Sequence, residues 1–216
     1  MGCLLFRRRK GRSIIVKNNI DQKIPRNFHK NNIKAICVAA STGGPKAIAK
    51  IMGDIPEGFK LPVLIVQHMP GRFTREFAER LNDICCLNVK EAEDGDEIKD
   101  GHAYVAPGGF HMEVLNNRLY LNKEPPLHGV RPCADKLFIS AAENYKDGLI
   151  GIVLTGMGTD GTAGLEAINK EGGICMAEDK STCTIYGMPR SAIEKGVVHI
   201  VAPVDKIIGE VIKIIE

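Results

Sequence analysis

I-K-A-I-C-V-A-A-S-T-G-G-P, residues 33–45, is a short apolar run that closes on small residues and then on Gly43-Gly44-Pro45. This is the punctuation between a buried strand and a helix, with Pro45 suited to the first turn of a helix running to about Met52. The same pattern recurs downstream. Leu61 to Val66 is a second short β-branched run, stopping at Gln67-His68-Met69-Pro70, and Leu149 to Leu154 is a third, stopping at Thr155-Gly156-Met157-Gly158-Thr159-Asp160-Gly161. Runs of this length, apolar throughout, read as strands covered on both faces.

Helices are predicted between them. Phe77, Ala78 and Leu81 recur at helical spacing from Thr74 to Leu81, and further helices are expected near Ala134 to Asn144 and Gly164 to Lys170. Val89 to Glu91, Ile174 to Ala177 and Val197 to Val201 complete the strands. The stretch from Asp94 to Tyr120 holds Gly95, Gly101, Pro107, Gly108 and Gly109 between short alternating segments, with Asn116-Asn117 at a hairpin turn. Antiparallel strands are therefore expected to interrupt a parallel sheet. Strands alternating with helices define the fold class: α/β, a doubly wound, mostly parallel, Rossmann-like sheet of three layers with an antiparallel hairpin.

The 216 residues suit one domain plus some extra sequence, expected as a basic, loosely packed leader over 1–33 and a catalytic domain over 34–216. The net charge of +3 is unevenly placed: the basic residues from Arg7 to Lys34 are opposed only by Asp21, so the body beyond them is acidic. A tail of that kind can touch nucleic acid, an acidic partner or an anionic membrane surface, but a solvated leader explains it as well, and no nucleic-acid partner is expected. Seven cysteines, an odd number, with no secretory apolar segment point to reduced thiols in the cytoplasm. None has zinc-like spacing with another Cys or a His, so no metal and no cofactor are expected. No apolar run reaches the roughly 18 to 20 residues that span a bilayer, so no membrane insertion is expected.

Ser41, His68 and Asp160 each lie in a loop following one of the three strong strands, and in an open α/β sheet such loops are where sites assemble. A serine hydroxyl needs an imidazole to take its proton, and the imidazole needs an acceptor on its other nitrogen. The Gly-rich turns beside Ser41 and Asp160 offer backbone N–H groups for an oxyanion, with Thr42 and Met157 as candidates. Residue by residue the signals are weak, because a Ser in a Gly-rich turn is more often a helix cap. Two readings stay open on spacing alone: a catalytic domain, or a phosphate-binding one. The turn matches neither G-x-G-x-x-G nor G-x-x-x-x-G-K-[ST].

Resemblance goes further. A-S-T-G-G-P (40–45), I-V-Q-H-M-P-G-R-F-T-R-E-F-A-E-R-L-N (65–82), V-K-E-A-E-D-G-D (89–96), A-Y-V-A-P-G-G-F-H-M (103–112), L-T-G-M-G-T-D-G (154–161) and Y-G-M-P-R (186–190) resemble, in this order, the catalytic domain of the CheB chemotaxis methylesterases from about Ile36 onward. The resemblance implies hydrolysis of glutamate 5-O-methyl esters on the cytoplasmic helices of chemoreceptors, with glutamine deamidation as a second activity. By motif it makes Ser41 the nucleophile, His68 the general base and Asp160 the acidic member of the triad. The chain order Ser, His, Asp and the lack of a G-x-S-x-G elbow set it apart from the α/β-hydrolases.

Two departures stand out. Family members usually carry an N-terminal receiver domain, and the roughly 35 residues before the catalytic domain are too few for one, so control by a separate regulatory protein in trans is expected instead. Where the family tends to show H-R-P-S-x-D, residues 128–135 read H-G-V-R-P-C-A-D, which puts Cys133 in the Ser place. Arg131 and Asp135 match; Arg131 is a substrate-positioning candidate, with a loop ion pair to Asp135 as the plainer role. His102, His111, His128 and His199 are expected to be structural or solvated.

Overall fold

The computed structural model describes residues 32–216, so residues 1–31 of the expected leader lie outside the described residues. Seven strands form one sheet in the order β3-β4-β2-β1-β7-β8-β9, every neighbouring pair parallel. The strands are β1 (Ala35–Ala40), β2 (Val63–Gln67), β3 (Asn88–Glu91), β4 (His102–Val105), β7 (Leu149–Val153), β8 (Ile174–Glu178) and β9 (Ile200–Ala202). The helices are α1 (Gly44–Gly53), α2 (Gly71–Asn82), α3 (Ala134–Tyr145), α4 (Thr162–Lys170), α5 (Met188–Lys195) and α6 (Ile207–Ile215).

Period-two alternation along each strand sorts the core into two layers. Ala35, Cys37 and Ala39 of β1 face one cluster with Leu137 and Phe138 of α3, Leu165 and Ile168 of α4, and Met188 of α5. Ile36, Val38 and Ala40 face the other, with Ile48, Ile51 and Met52 of α1, Phe77 and Leu81 of α2, and Val211 and Ile214 of α6. Small residues permit the closest approaches: a Cβ on Gly151 of β7 would sit 2.5 Å from Ile168 Cδ1. The chain leaves β1 toward β2 with its helices on one face, and enters β7 with α3, α4 and α5 on the other. Right-handed crossovers in both directions require that arrangement and place the switch point between β1 and β7.

The doubly wound fold is as expected, with corrections of detail. The hairpin β5 (His111–Leu115) and β6 (Arg118–Asn122) does not interrupt the parallel sheet; it forms a two-stranded sheet of its own. Asn116 and Asn117 hold its turn with φ of 51° and 59°, the left-handed pair that such a turn demands. The hairpin docks on α3, where Ser140 Oγ accepts from the Val114 N–H. Inside the same glycine-rich stretch lies β4, a parallel strand between β3 and β2. The helices α5 and α6 were also not anticipated, and Val197 and Val198 are buried just before β9 rather than paired within it.

Candidate active site

The sheet order sets β2, β1 and β7 side by side, so the loops after them converge. Backbone hydrogen bonds carry the ladder one step beyond the strands: His68 N–H donates to Ala40 O at 3.0 Å, Leu154 N–H to Ala39 O at 2.8 Å, and Ser41 N–H to Thr155 O at 3.0 Å. Ser41 and His68 are thereby fixed by register before any side chain acts. Asp160 lies seven residues past β7, returned beneath the others by the Gly-rich turn and by Gly161, whose φ of 87° starts α4.

His68 Nε2 lies 2.7 Å from Asp160 Oδ2, and both side chains are almost entirely buried. Asp160 accepts further hydrogen bonds from the N–H groups of Ala134 at 2.7 Å and Asp135 at 3.0 Å, in the first turn of α3, from Gly161 N–H at 3.0 Å, and from the Cys133 thiol at 2.9 Å. Burial by itself would raise the Asp160 pKa. The bonds from His68, Cys133 and the α3 amides outweigh it and hold the carboxyl at about 2. Burial and the adjacent Asp160 carboxylate push the Cys133 thiol up, so it stays a neutral donor. Asp160 is thus a permanent anion at neutral pH, aimed at Nε2 and leaving Nδ1 as the His68 nitrogen for a proton acceptor's work.

Among the described residues, neither Ser41 Oγ nor the N–H groups of Thr42 and Met157 make a hydrogen bond. Ser41 is half-buried, and among the described residues Met157 is the most exposed large apolar side chain, at 75%. Gly156 is required where it stands: a Cβ there would lie 2.8 Å from Ser41 Cβ and 2.3 Å from Met188 Sδ.

A clamp not foreseen from the sequence is Gln67, buried at the end of β2, whose Nε2 donates to the carbonyls of both Ser41 and His68 at 3.0 Å. Gly44 makes room for it, since a Cβ at that position would come within 2.0 Å of Gln67 Oε1. The signal was present as a polar residue closing an otherwise apolar strand. Thr155 is a second hub: its Oγ1 donates to Thr42 O at 2.9 Å and accepts from Ile185 N–H at 2.9 Å, and its own N–H donates to buried Glu178 Oε2 at 2.7 Å.

Arg131 is not paired with Asp135. Its Nη1 donates to the carbonyls of Lys123 and Glu124, both at 2.9 Å, tying down the chain after the hairpin. Asp135 instead meets His128 Nε2 at 2.8 Å and accepts from Gly164 N–H at 2.7 Å. His111 Nε2 reaches Pro125 O, His102 Nδ1 reaches Asp100 O, and His199 Nδ1 accepts from Cys175 N–H, all structural contacts.

Fold and site together define a doubly wound α/β protein with a serine and a buried imidazole–carboxylate pair at its topological switch point. The chain belongs to the CheB methylesterase family, whose model matches residues 36–211. It is similar to the protein-glutamate methylesterase/protein-glutamine glutaminase of Clostridium acetobutylicum, 50% identical over 186 residues that cover 86% of this chain and 54% of that protein. The protein of the same name from Thermotoga maritima is 40% identical over 216 residues, covering 98% of this chain and 60% of the other. The crystal structure of the Thermotoga maritima CheB methylesterase catalytic domain superposes with a TM-score of 0.81 at 43% identity, covering 84% of this chain and 98% of that one. The chain spans between about half and 60% of the length of these full-length relatives.

Proposed function

We propose that this chain is a protein-glutamate methylesterase that releases methanol from glutamate 5-O-methyl esters on the cytoplasmic helices of chemoreceptors, and that it also deamidates receptor glutamines. The observation that carries the reading is the buried His68–Asp160 pair beside Ser41, with Asp160 held ionised. Hydrolysis acts in the cytoplasm, and among the described residues no helix is long and apolar enough to cross a membrane.

In the reaction, His68 Nδ1 takes the Ser41 proton as Oγ attacks the side-chain ester carbonyl. Asp160 stays ionised and stabilises the imidazolium through Nε2. The N–H groups of Thr42 and Met157 receive the oxyanion of the tetrahedral intermediate. Collapse breaks the bond to the methoxy group, which leaves as methanol with the proton returned by His68. Water, deprotonated by the same imidazole, then attacks the glutamyl ester of Ser41 and restores the enzyme. An amide enters the same sequence and leaves as ammonia. Arg131, through Nη1, holds the Lys123 and Glu124 carbonyls of the chain after the hairpin.

Ser41→Ala is expected to lower methanol release from methylated receptor by roughly 10⁴- to 10⁶-fold without loss of fold. Near-normal release by that variant would remove the serine mechanism.

A further inference from the structure

The donor that Cys133 supplies to Asp160 belongs to a tighter group. A ring nitrogen of His128, Cys133 Sγ, a carboxylate oxygen of Asp135 and one of Asp160 all lie within 4.8 Å of one another. Three hydrogen bonds hold the group together: Cys133 Sγ to Asp160 Oδ1 at 2.9 Å, His128 Nε2 to Asp135 Oδ2 at 2.8 Å, and the Asp135 N–H to Asp160 Oδ1 at 3.0 Å. Three of the four side chains are buried, and His128 alone is exposed. A cavity of about 200 Å³ opens beside it, walled by His128, Asp135, Thr159 and Thr162, and gives a route from solvent to the two outer ligands.

One thiol, one imidazole and two carboxylates are the donor set of a four-coordinate borderline cation rather than of magnesium or calcium, which take oxygen alone. Zinc bonds of about 2.0 to 2.3 Å place tetrahedral ligands roughly 3.3 to 3.8 Å apart, so small side-chain rotations bring these atoms to that spacing. We infer that His128, Cys133, Asp135 and Asp160 form a binding site for a thiophilic divalent cation of the zinc class, and that occupancy slows the proposed esterase by engaging Asp160. On binding, the Cys133 S–H bond breaks, its proton passes to solvent, and a sulfur–metal bond forms. His128 binds through the Nε2 lone pair with its proton on Nδ1. One thiolate and two carboxylates around a dication leave a single net negative charge. The slowing rests on the triad reading: with Asp160 Oδ1 on a cation, less negative charge faces His68 through Oδ2, and the imidazolium formed on attack at the ester is less well stabilised.

The site was invisible in the chain because His128, Cys133 and Asp135 show no zinc-like spacing and the fourth ligand comes from the loop after β7. The experiment titrates the whole chain with cobalt chloride and then zinc chloride. Wild type should show one cobalt equivalent with a near-ultraviolet thiolate-to-metal absorption that zinc abolishes and magnesium does not. Cys133→Ser keeps a donor to Asp160 and should lose that absorption, with affinity reduced by more than about 100-fold, since even outer-shell partners of a bound metal are worth roughly 10- to 100-fold. Zinc at the concentration that displaces cobalt should slow methanol release by wild type at least tenfold. His128→Asn should keep the metal-free rate and need about 100-fold more zinc for the same slowing. Cobalt binding without the thiolate band, or binding unchanged in Cys133→Ser, overturns the site. An unchanged rate with the band at full strength overturns the control of Asp160. No methanol release from metal-free wild type would defeat the esterase reading alone, and the cobalt spectrum would still decide the site.

Discussion

Two buried carboxylates, one past β7 and one closing the neighbouring β8, are furnished in opposite ways. Asp160, beyond β7, receives donors from His68, Cys133, Ala134, Asp135 and Gly161. Glu178, at the end of β8 and fully buried, accepts one backbone N–H through Oε2, while its Oε1 has no partner among the described residues. The difference teaches that burial alone does not mark a working acid. A carboxylate kept ionised in a protein interior needs donors on both oxygens, and here the N-terminus of α3 supplies two of them, where the helix dipole favours a negative charge.

Substitution separates the two most sharply. Asp160→Asn places an amide NH₂ against the α3 N–H donors and removes the partner of His68. The expected cost is about 10⁴-fold in the rate of methanol release and about 3 kcal/mol of stability by denaturant titration. If the Asn variant kept a tenth of the wild-type rate, the orienting role of Asp160 would be lost.

Gly44→Ala probes the Gln67 clamp on the Ser41 and His68 carbonyls, since its Cβ would meet Gln67 Oε1 at 2.0 Å and Ala40 Cβ at 2.7 Å. Overpacking of this kind is expected to cost about 2 kcal/mol, seen as a fall in Tm of roughly 4 to 8 °C. An unchanged melting temperature would mean that Gln67 can leave its two carbonyls freely.

Acid supplies a third contrast. The folded-state pKa of Asp160 lies at about 2, below its value near 4 in the unfolded chain, so its stabilisation is full above about pH 4 and fades as pH falls toward 2. That share of acid unfolding is on the order of 2 kcal/mol, and Asp160→Ala should lack it. Identical acid-unfolding slopes for the two proteins over pH 4 to 2 would contradict the assignment.

Glu178→Gln should matter least. An amide oxygen still accepts the Thr155 N–H and the side-chain volume is unchanged, so stability is expected to hold within about 1 kcal/mol. A loss beyond about 1 kcal/mol in calorimetry would show that Glu178 Oε1 has a partner after all, and the contrast between the carboxylates would narrow.

Most of what positions the site was legible in the chain. The three apolar runs ending at Ser41, at Gln67-His68 and before Asp160 became adjacent strands, because a run apolar at every position has only the middle of a covered sheet to occupy. What escaped had physical reasons. β4 is four residues, His102–Val105, embedded among glycines that read as turns, and only its neighbours β3 and β2 reveal it as parallel. α6, I-I-G-E-V-I-K-I-I, is rich in β-branched residues, yet it is a helix because Ile207, Val211 and Ile214 recur at intervals of four and three and bury one stripe against the sheet. The support of Asp160 by α3, and the turn of Arg131 away from Asp135, depend on loops that approach one another only after folding. No spacing along the chain encodes them.

The choice of ring nitrogen has a consequence for where accuracy in this molecule resides. Asp160 occupies Nε2 of His68, the nitrogen far from the main chain, and leaves Nδ1, which stands only two bonds from Cβ. A base working from the near side of its ring, as proposed for His68, has little side-chain swing with which to correct an error. Its aim is set by the backbone at residue 68, which hangs from Ala40 by one hydrogen bond, as Ser41 hangs from Thr155. The tolerance of the chemistry is therefore the tolerance of strand register. A slip of one residue between β1 and β2 would carry His68, the proposed base, out of reach of Ser41.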